Sequence, residues 1–164
     1  YVEEVKVERS LPGTVAITVT ERTPKYMAEA YGGMFAYIDQ NGYYLETNSE
    51  KLDLPILRGM ITDINNLKPG DRIVEKDLDK FNDLIKIIDG VKNKNIEPKL
   101  SYIDISNHNN YILEFETENK KVMLGDTLGL STKMIWIEYF LKENKNKAGI
   151  IHLDTDDVYF APIE

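Results

Sequence analysis

Hydrophobic and polar residues alternate most regularly from Thr14 to Glu21. Val15, Ile17 and Val19 share one face there, and Thr14, Ala16, Thr18 and Thr20 the other, as in a half-buried strand. Val2, Val5 and Val7 make a poorer strand before it, and Leu11-Pro12-Gly13 supplies the turn that joins the two into a hairpin. Two strands are marginal in water, so this hairpin needs more sheet or a helix over its apolar face. After Thr23-Pro24, Phe35-Ala36-Tyr37-Ile38 and Tyr43-Tyr44-Leu45 flank Asp39-Gln40-Asn41-Gly42. Asn-Gly between apolar runs predicts a second hairpin, closed by a type I′ turn with positive φ at both residues. Leu54 to Gly59 reads as a short extended stretch around Pro55, and Lys68-Pro69-Gly70-Asp71 as a turn.

From Lys76 the period lengthens. Leu78, Phe81, Leu84, Ile85, Ile88 and Val91 follow three- and four-residue spacing and predict an amphipathic helix, weakened towards Gly90 and excluded by Pro98. Three strands follow at Tyr102 to Ser106, Tyr111 to Glu116 and Lys121 to Leu124, with Asn107 to Asn110 and Glu118-Asn119-Lys120 as turns. A second helix runs from near Leu130 to about Glu143, with Ser131 or Thr132 as its N-cap. Gly149 to Leu153 and Val158 to Ile163 close the chain as a strand pair around Asp154-Thr155-Asp156-Asp157. This order predicts an α+β fold: a mostly antiparallel sheet with two amphipathic helices packed on one face, preceded by a separate hairpin.

Composition then narrows the chemistry. At 164 residues the chain can bury a real core, and with no cysteine it has neither disulfides nor thiol chemistry. A net charge of -8 without a basic stripe argues against nucleic acid and anionic membrane surfaces. No run of about 18 apolar residues is present. Because the sequence opens inside an alternating segment, it reads as part of something longer, with a membrane anchor expected upstream.

Catalytic and metal motifs are not apparent. Asp154, Asp156 and Asp157 suggest a hard-cation loop, but Tyr159 stands where such a loop needs glycine, so a solvated turn is expected. Tyr43 spoils the same reading of Asp39 to Gly42. His108 and His152 lack a second histidine at helical spacing and are expected at the surface. Gly32-Gly33 lacks the rest of a phosphate loop, and no serine sits in a nucleophile-elbow pattern. A carboxylate pair acting on a glycan stays open as an alternative, since such pairs are spaced in the fold and not in the sequence. Ten tyrosines lean weakly towards an interaction surface. No cofactor, metal or catalytic residue is expected, and the chain is read as a non-enzyme.

Several modest motifs occur together in order: Leu11-Pro12-Gly13, then the alternating strand ending Glu21-Arg22-Thr23-Pro24; Tyr37-Ile38-Asp39-Gln40-Asn41-Gly42-Tyr43; Leu54-Pro55-Ile56-Leu57-Arg58-Gly59; Lys121 to Gly125; and Ile150-Ile151-His152-Leu153 to Phe160-Ala161-Pro162. Spanning nearly the whole chain, this series resembles the FtsQ/DivIB family of bacterial cell-division proteins where the POTRA domain passes into the β domain. The resemblance implies residues 1–24 as the last strands of an incomplete POTRA domain and 25–164 as the β domain.

It further implies a non-catalytic divisome scaffold, single-pass when full length and exposed on the extracytoplasmic face at the septum. Its expected partners are FtsL-like and FtsB/DivIC-like division proteins, with septal peptidoglycan synthases as a further partner class, and it would help to regulate septal peptidoglycan synthesis. In the family a partner adds a strand beside the final strand. Carried onto this chain, the partner-binding residues are Val158, Tyr159, Phe160, Ala161 and Pro162, with Asp154 and Thr155 on the turn side. Proteobacterial members carry Arg and Tyr where Asp154 and Thr155 stand, and Trp where Phe160 stands, so the apolar anchor transfers and the charge contact does not. A POTRA-type module of a secretion or envelope-assembly system is the alternative.

Overall fold

The structure is a computed structural model that describes residues 1–116 and 119–163. Strands β1 (Val2–Ser10) and β2 (Thr14–Glu21) form a two-stranded antiparallel ribbon, turned at Leu11 to Gly13, where the Gly13 amide donates to the Ser10 carbonyl at 3.1 Å. In this register Val5 pairs with Val19 and Val7 with Ile17, so the expected apolar face exists. All of it is exposed.

The remaining strands are β3 (Tyr26–Ala30), β4 (Met34–Ile38), β5 (Tyr44–Asn48), β6 (Ile56–Arg58), β7 (Leu100–Asp104), β8 (Tyr111–Phe115), β9 (Lys120–Gly125), β10 (Gly149–His152) and β11 (Tyr159–Pro162). They form one sheet in the order β11-β10-β9-β8-β7-β6-β3-β4-β5. Five of its junctions are antiparallel, and β9–β10, β6–β7 and β3–β6 are parallel. The α+β reading with a mostly antiparallel sheet holds.

Helices α1 (Glu75–Leu78), α2 (Phe81–Asn93) and α3 (Leu130–Glu143) cover one face. Phe81, Leu84, Ile87, Met134, Ile137 and Leu141 enter the same core as Ile103, Leu113, Val122 and Ile151. The opposite face carries a smaller cluster of Met27, Tyr37, Leu45 and Ile56, roofed by Leu52 and Leu54.

Several details differ from the sequence reading. Strand β3 was not predicted. It lies inside the sheet with Tyr26 and Ala28 in the main core and Met27 in the other cluster, so burial on both faces erases the alternation that would reveal it. The first helix is broken at Asp79–Lys80, and its stripe buries Ile87 while Ile85 is exposed. No side chain caps α3. Gly129, left-handed at φ 63°, holds the N-cap position in place of Ser131 or Thr132.

The β4–β5 turn is not type I′. Gly42 alone has positive φ (78°), Asn41 does not, and the carboxylate of Asp39 organises the loop by accepting from the Asn41 and Tyr43 amides at 2.8 Å. Lys120, expected in a turn, is buried at the start of β9, and Glu118 of that turn lies outside the described residues. His152 is half-buried, with its ring stacked on Tyr159 at 4.6 Å between centroids.

The loop from Gly59 to Thr62 is tied down by one buried carboxylate. Asp77, fully buried, accepts from the Ile61 and Thr62 amides and from the Thr62 hydroxyl at 2.7 Å, with the Lys80 ammonium 3.5 Å away. These partners satisfy a charge that would otherwise be costly to bury.

Candidate functional site

The C-terminal strand β11 matches its one neighbour, β10, in length, each having 4 residues. Residues Gly149 to His152 form β10 beside the parallel strand β9, and the Leu153 amide extends that ladder by donating to the Met123 carbonyl at 2.9 Å. The chain then reverses through Asp154 to Asp157, where the Thr155 hydroxyl donates to the Asp157 carbonyl at 2.7 Å. Val158 leads out of this reversal and lies just before β11, outside the regular strand.

Strand β11 pairs with β10 on one side only and ends the sheet, with Ile150 opposite Ala161 and His152 opposite Tyr159. The Ile163 amide donates to Ala148 at 3.1 Å. In an antiparallel ladder hydrogen-bonded pairs recur at every second residue. Ala161 and Tyr159 therefore direct their N–H and C=O groups inward to β10. Phe160 and Val158 direct theirs outward, and Pro162 contributes only a carbonyl.

The side chains divide as clearly. Phe160 turns to the helix-bearing face, half-buried against the core and so close over Gly149 that any Cβ at that position would collide with its ring. Val158 and Tyr159 are 37% and 44% exposed, and Pro162 and Ile163 are exposed beside them. Ala161 is half-buried. Asp154, Thr155, Asp156 and Asp157 are exposed, and the Asp154 carboxylate lies 3.3 Å from His152 Nδ1. Thus the expected edge residues are brought together on one rim, with the Phe160 ring engaged internally and the Tyr159 ring, stacked on His152, the more exposed of the two.

The far edge is differently dressed. Beside Tyr43 and Tyr44 the 70–72 segment adds bonds, the Gly70 amide donating to the Tyr44 carbonyl and the Tyr44 amide to the Asp71 carbonyl. Tyr1 lies near Glu46 farther along, and burial, then Glu46, raise its phenol above the ordinary value. The β11 rim lacks such a cover among the described residues.

Elsewhere, no group of three or more His, Cys, Asp or Glu able to hold a metal occurs among the described residues. A surface cleft of about 460 Å³ contains Asp79, Asp83, His108 and Tyr111. In it Asp83 accepts from the Tyr111 hydroxyl at 3.1 Å and the Thr127 hydroxyl at 3.0 Å, and pairs with Lys86. Burial, then the Asp83 charge and hydrogen bond, raise the Tyr111 phenol far above its ordinary value and keep it protonated. These contacts tie β8 to α2 and to the loop before α3. No helix among the described residues is long and apolar enough to cross a membrane.

The arrangement defines an α+β domain whose C-terminal strand has one edge unpaired among the described residues, with a charged turn beside it. No protein-family model matches the chain. Curated relatives include the cell division protein DivIB of Clostridium tetani (strain Massachusetts / E88), 25% identical over 134 residues, which are 82% of this chain and 49% of that protein. The cell division protein FtsQ of Geobacter sp. (strain M21) is 36% identical over 61 residues, 36% of this chain and 22% of the relative. The chain thus spans about half the length of the DivIB relative. Both relatives are named as cell division proteins, and it is to these that the chain is similar.

Proposed function

We propose that the chain is a non-catalytic scaffold of the division machinery that captures an extended segment of a partner along the outer edge of β11. The free Val158 and Phe160 main-chain groups carry this reading. An added strand gains affinity from such groups and specificity from the side chains beside them. FtsL-like and FtsB/DivIC-like proteins are the proposed partners, and through them the chain helps to regulate the septal peptidoglycan synthases. The proposed setting is the extracytoplasmic face of the cell membrane at the septum, in a protein anchored by a single N-terminal helix.

The domain division belongs to the same proposal. Residues 1–24 are the closing strands of a POTRA domain and 25–164 the β domain. The uncovered Val5, Val7, Val15, Ile17 and Val19 face supports this, because a two-stranded ribbon with one apolar side needs covering structure. The exposed Asp154, Asp156 and Asp157 favour a partner strand flanked by Lys or Arg.

Calorimetric titration of the chain with a purified FtsB/DivIC-type ectodomain tests the proposal. Saturable binding is expected, in the micromolar range or tighter, with an affinity that falls as salt rises. Absence of heat and of any spectral change at saturating partner would count against it.

A further inference from the structure

The hairpin β1–β2 buries none of its residues, so any contact that sets its direction from the sheet must lie at its base. There Arg22, directly after β2, donates from Nη1 to Asp39 Oδ2 at 2.7 Å, and its guanidinium lies 3.9 Å from the centre of the Tyr43 ring. Asp39 is 2% exposed, and its other oxygen is occupied by the Asn41 and Tyr43 amides.

That turn is itself bolted to the core. Arg72 Nε donates to the Asn41 carbonyl at 2.9 Å, and the Ile73 amide donates to the Gly42 carbonyl at 2.9 Å. At Gly42 an added Cβ would come within 2.8 Å of Leu78 Cδ1. Asp39 therefore cannot shift without disturbing α1, the 70–73 segment and the sheet together.

We infer that the Arg22–Asp39 pair, stacked on Tyr43, is the coupling element that holds the N-terminal hairpin at a fixed angle to the sheet, with Arg22 acting as a positioning residue. The other bonds at the base are weaker constraints on angle. The Arg22 amide to the Tyr1 carbonyl closes the hairpin on itself. The Lys25 amide to the Ile38 carbonyl begins the sheet only after Pro24. Tyr1 near Glu46 is a contact of side chains that are rotatable and partly exposed.

A planar guanidinium held at once by a buried carboxylate and an aromatic face is more restrictive, because two separate constraints act on one rigid group. The leverage is large. At about 3.3 Å per residue, the nine residues of β1 reach on the order of 30 Å, and a swing of about 20° at the base carries the tip roughly 10 Å. Whatever structure the hairpin bears would inherit that motion. Because both residues sit outside the β11 rim, the inference stands or falls independently of the proposed partner.

The absence of cysteine makes the test direct. Spin labels on Ser10→Cys at the hairpin tip and Thr132→Cys on α3, both exposed positions, report the tip-to-sheet distance by pulsed electron resonance. A single narrow distribution is expected in the parent chain. Arg22→Gln should at least double its width while the far-UV spectrum is unchanged, and Asp39→Asn should do the same, since its amide oxygen can still accept from the turn but no longer pairs a charge. Lys6→Gln, which removes only the exposed Lys6–Glu4 pair, should leave the width as it was. If Asp39→Asn fails to fold, Arg22→Gln decides alone. A distribution as narrow in Arg22→Gln as in the parent, or a parent already as broad as the variant, would overturn the inference.

Discussion

Replacing Val158 by Pro is expected to abolish partner binding while leaving the chain folded. Val158 stands one residue before the β10–β11 pairing, so a proline there removes no bond of that ladder and instead removes a donor at the rim and places a ring on it. Loss of the bond together with the steric block should weaken binding at least ~100-fold, equivalent to about 2.7 kcal/mol. The companion change Tyr159→Pro should behave differently, because the Tyr159 amide faces β10 and its loss loosens β11 itself. Titration calorimetry on both variants, with circular dichroism as the check on folding, separates edge pairing from strand integrity. Unchanged affinity in Val158→Pro would place the docking surface elsewhere.

The largest stability effect is expected at Asp77. Asp77→Ala removes the acceptor of the Ile61 and Thr62 amides and of the Thr62 hydroxyl, and leaves Lys80, itself buried, without its carboxylate. Breaking a buried pair from one side costs about 3–5 kcal/mol. At ~2–4 °C per kcal/mol for a chain of this size, the melting temperature should fall by roughly 10 °C. Burial alone would raise the Asp77 carboxyl pKa. The Thr62 hydroxyl, the Thr62 and Ile61 amides and Lys80 outweigh burial and hold it below the usual range.

The sign of the linkage follows from that lowered value. The stabilisation is fully present above the unfolded carboxyl pKa of about 3.9 and is lost as pH falls through the lower folded value. Asp77→Asn should therefore flatten the acid limb of the stability profile as well as lowering the plateau. Thermal melts between neutral and strongly acid pH measure both.

The C-terminal rim was legible in the sequence because β10 and β11 are joined by a polar turn and flanked by a solvated stretch, so their apolar runs stand out. Which amides face outward was not, since that depends on the ladder phase set by the Ile163–Ala148 bond. The role of Phe160 was hidden for a related reason. Its ring packs over Gly149, and only the cross-strand register brings those two positions near.

The parallel junctions β3–β6 and β6–β7 were equally silent, because residues separated by long connections carry no local turn signal. Strand β3 lacked alternation through being buried on both sides. Gly90 reads in sequence as a weak point of the helix, yet Met134 of α3 approaches it so closely that a Cβ would stand 3.1 Å from Met134 Cγ. Helix packing, not helix termination, is its role.

Hydrogen exchange at single amides, followed by NMR with and without an FtsB/DivIC-type ectodomain, tests strand addition at β11 most directly. In the free chain the Tyr159 and Ala161 amides should already be protected by β10, whereas those of Val158 and Phe160 exchange freely. Binding should slow Val158 and Phe160 together, by ~100-fold or more if each amide gains a ladder bond in a complex of micromolar affinity or better. Saturating partner that leaves both amides exchanging as fast as before would contradict strand addition at this edge.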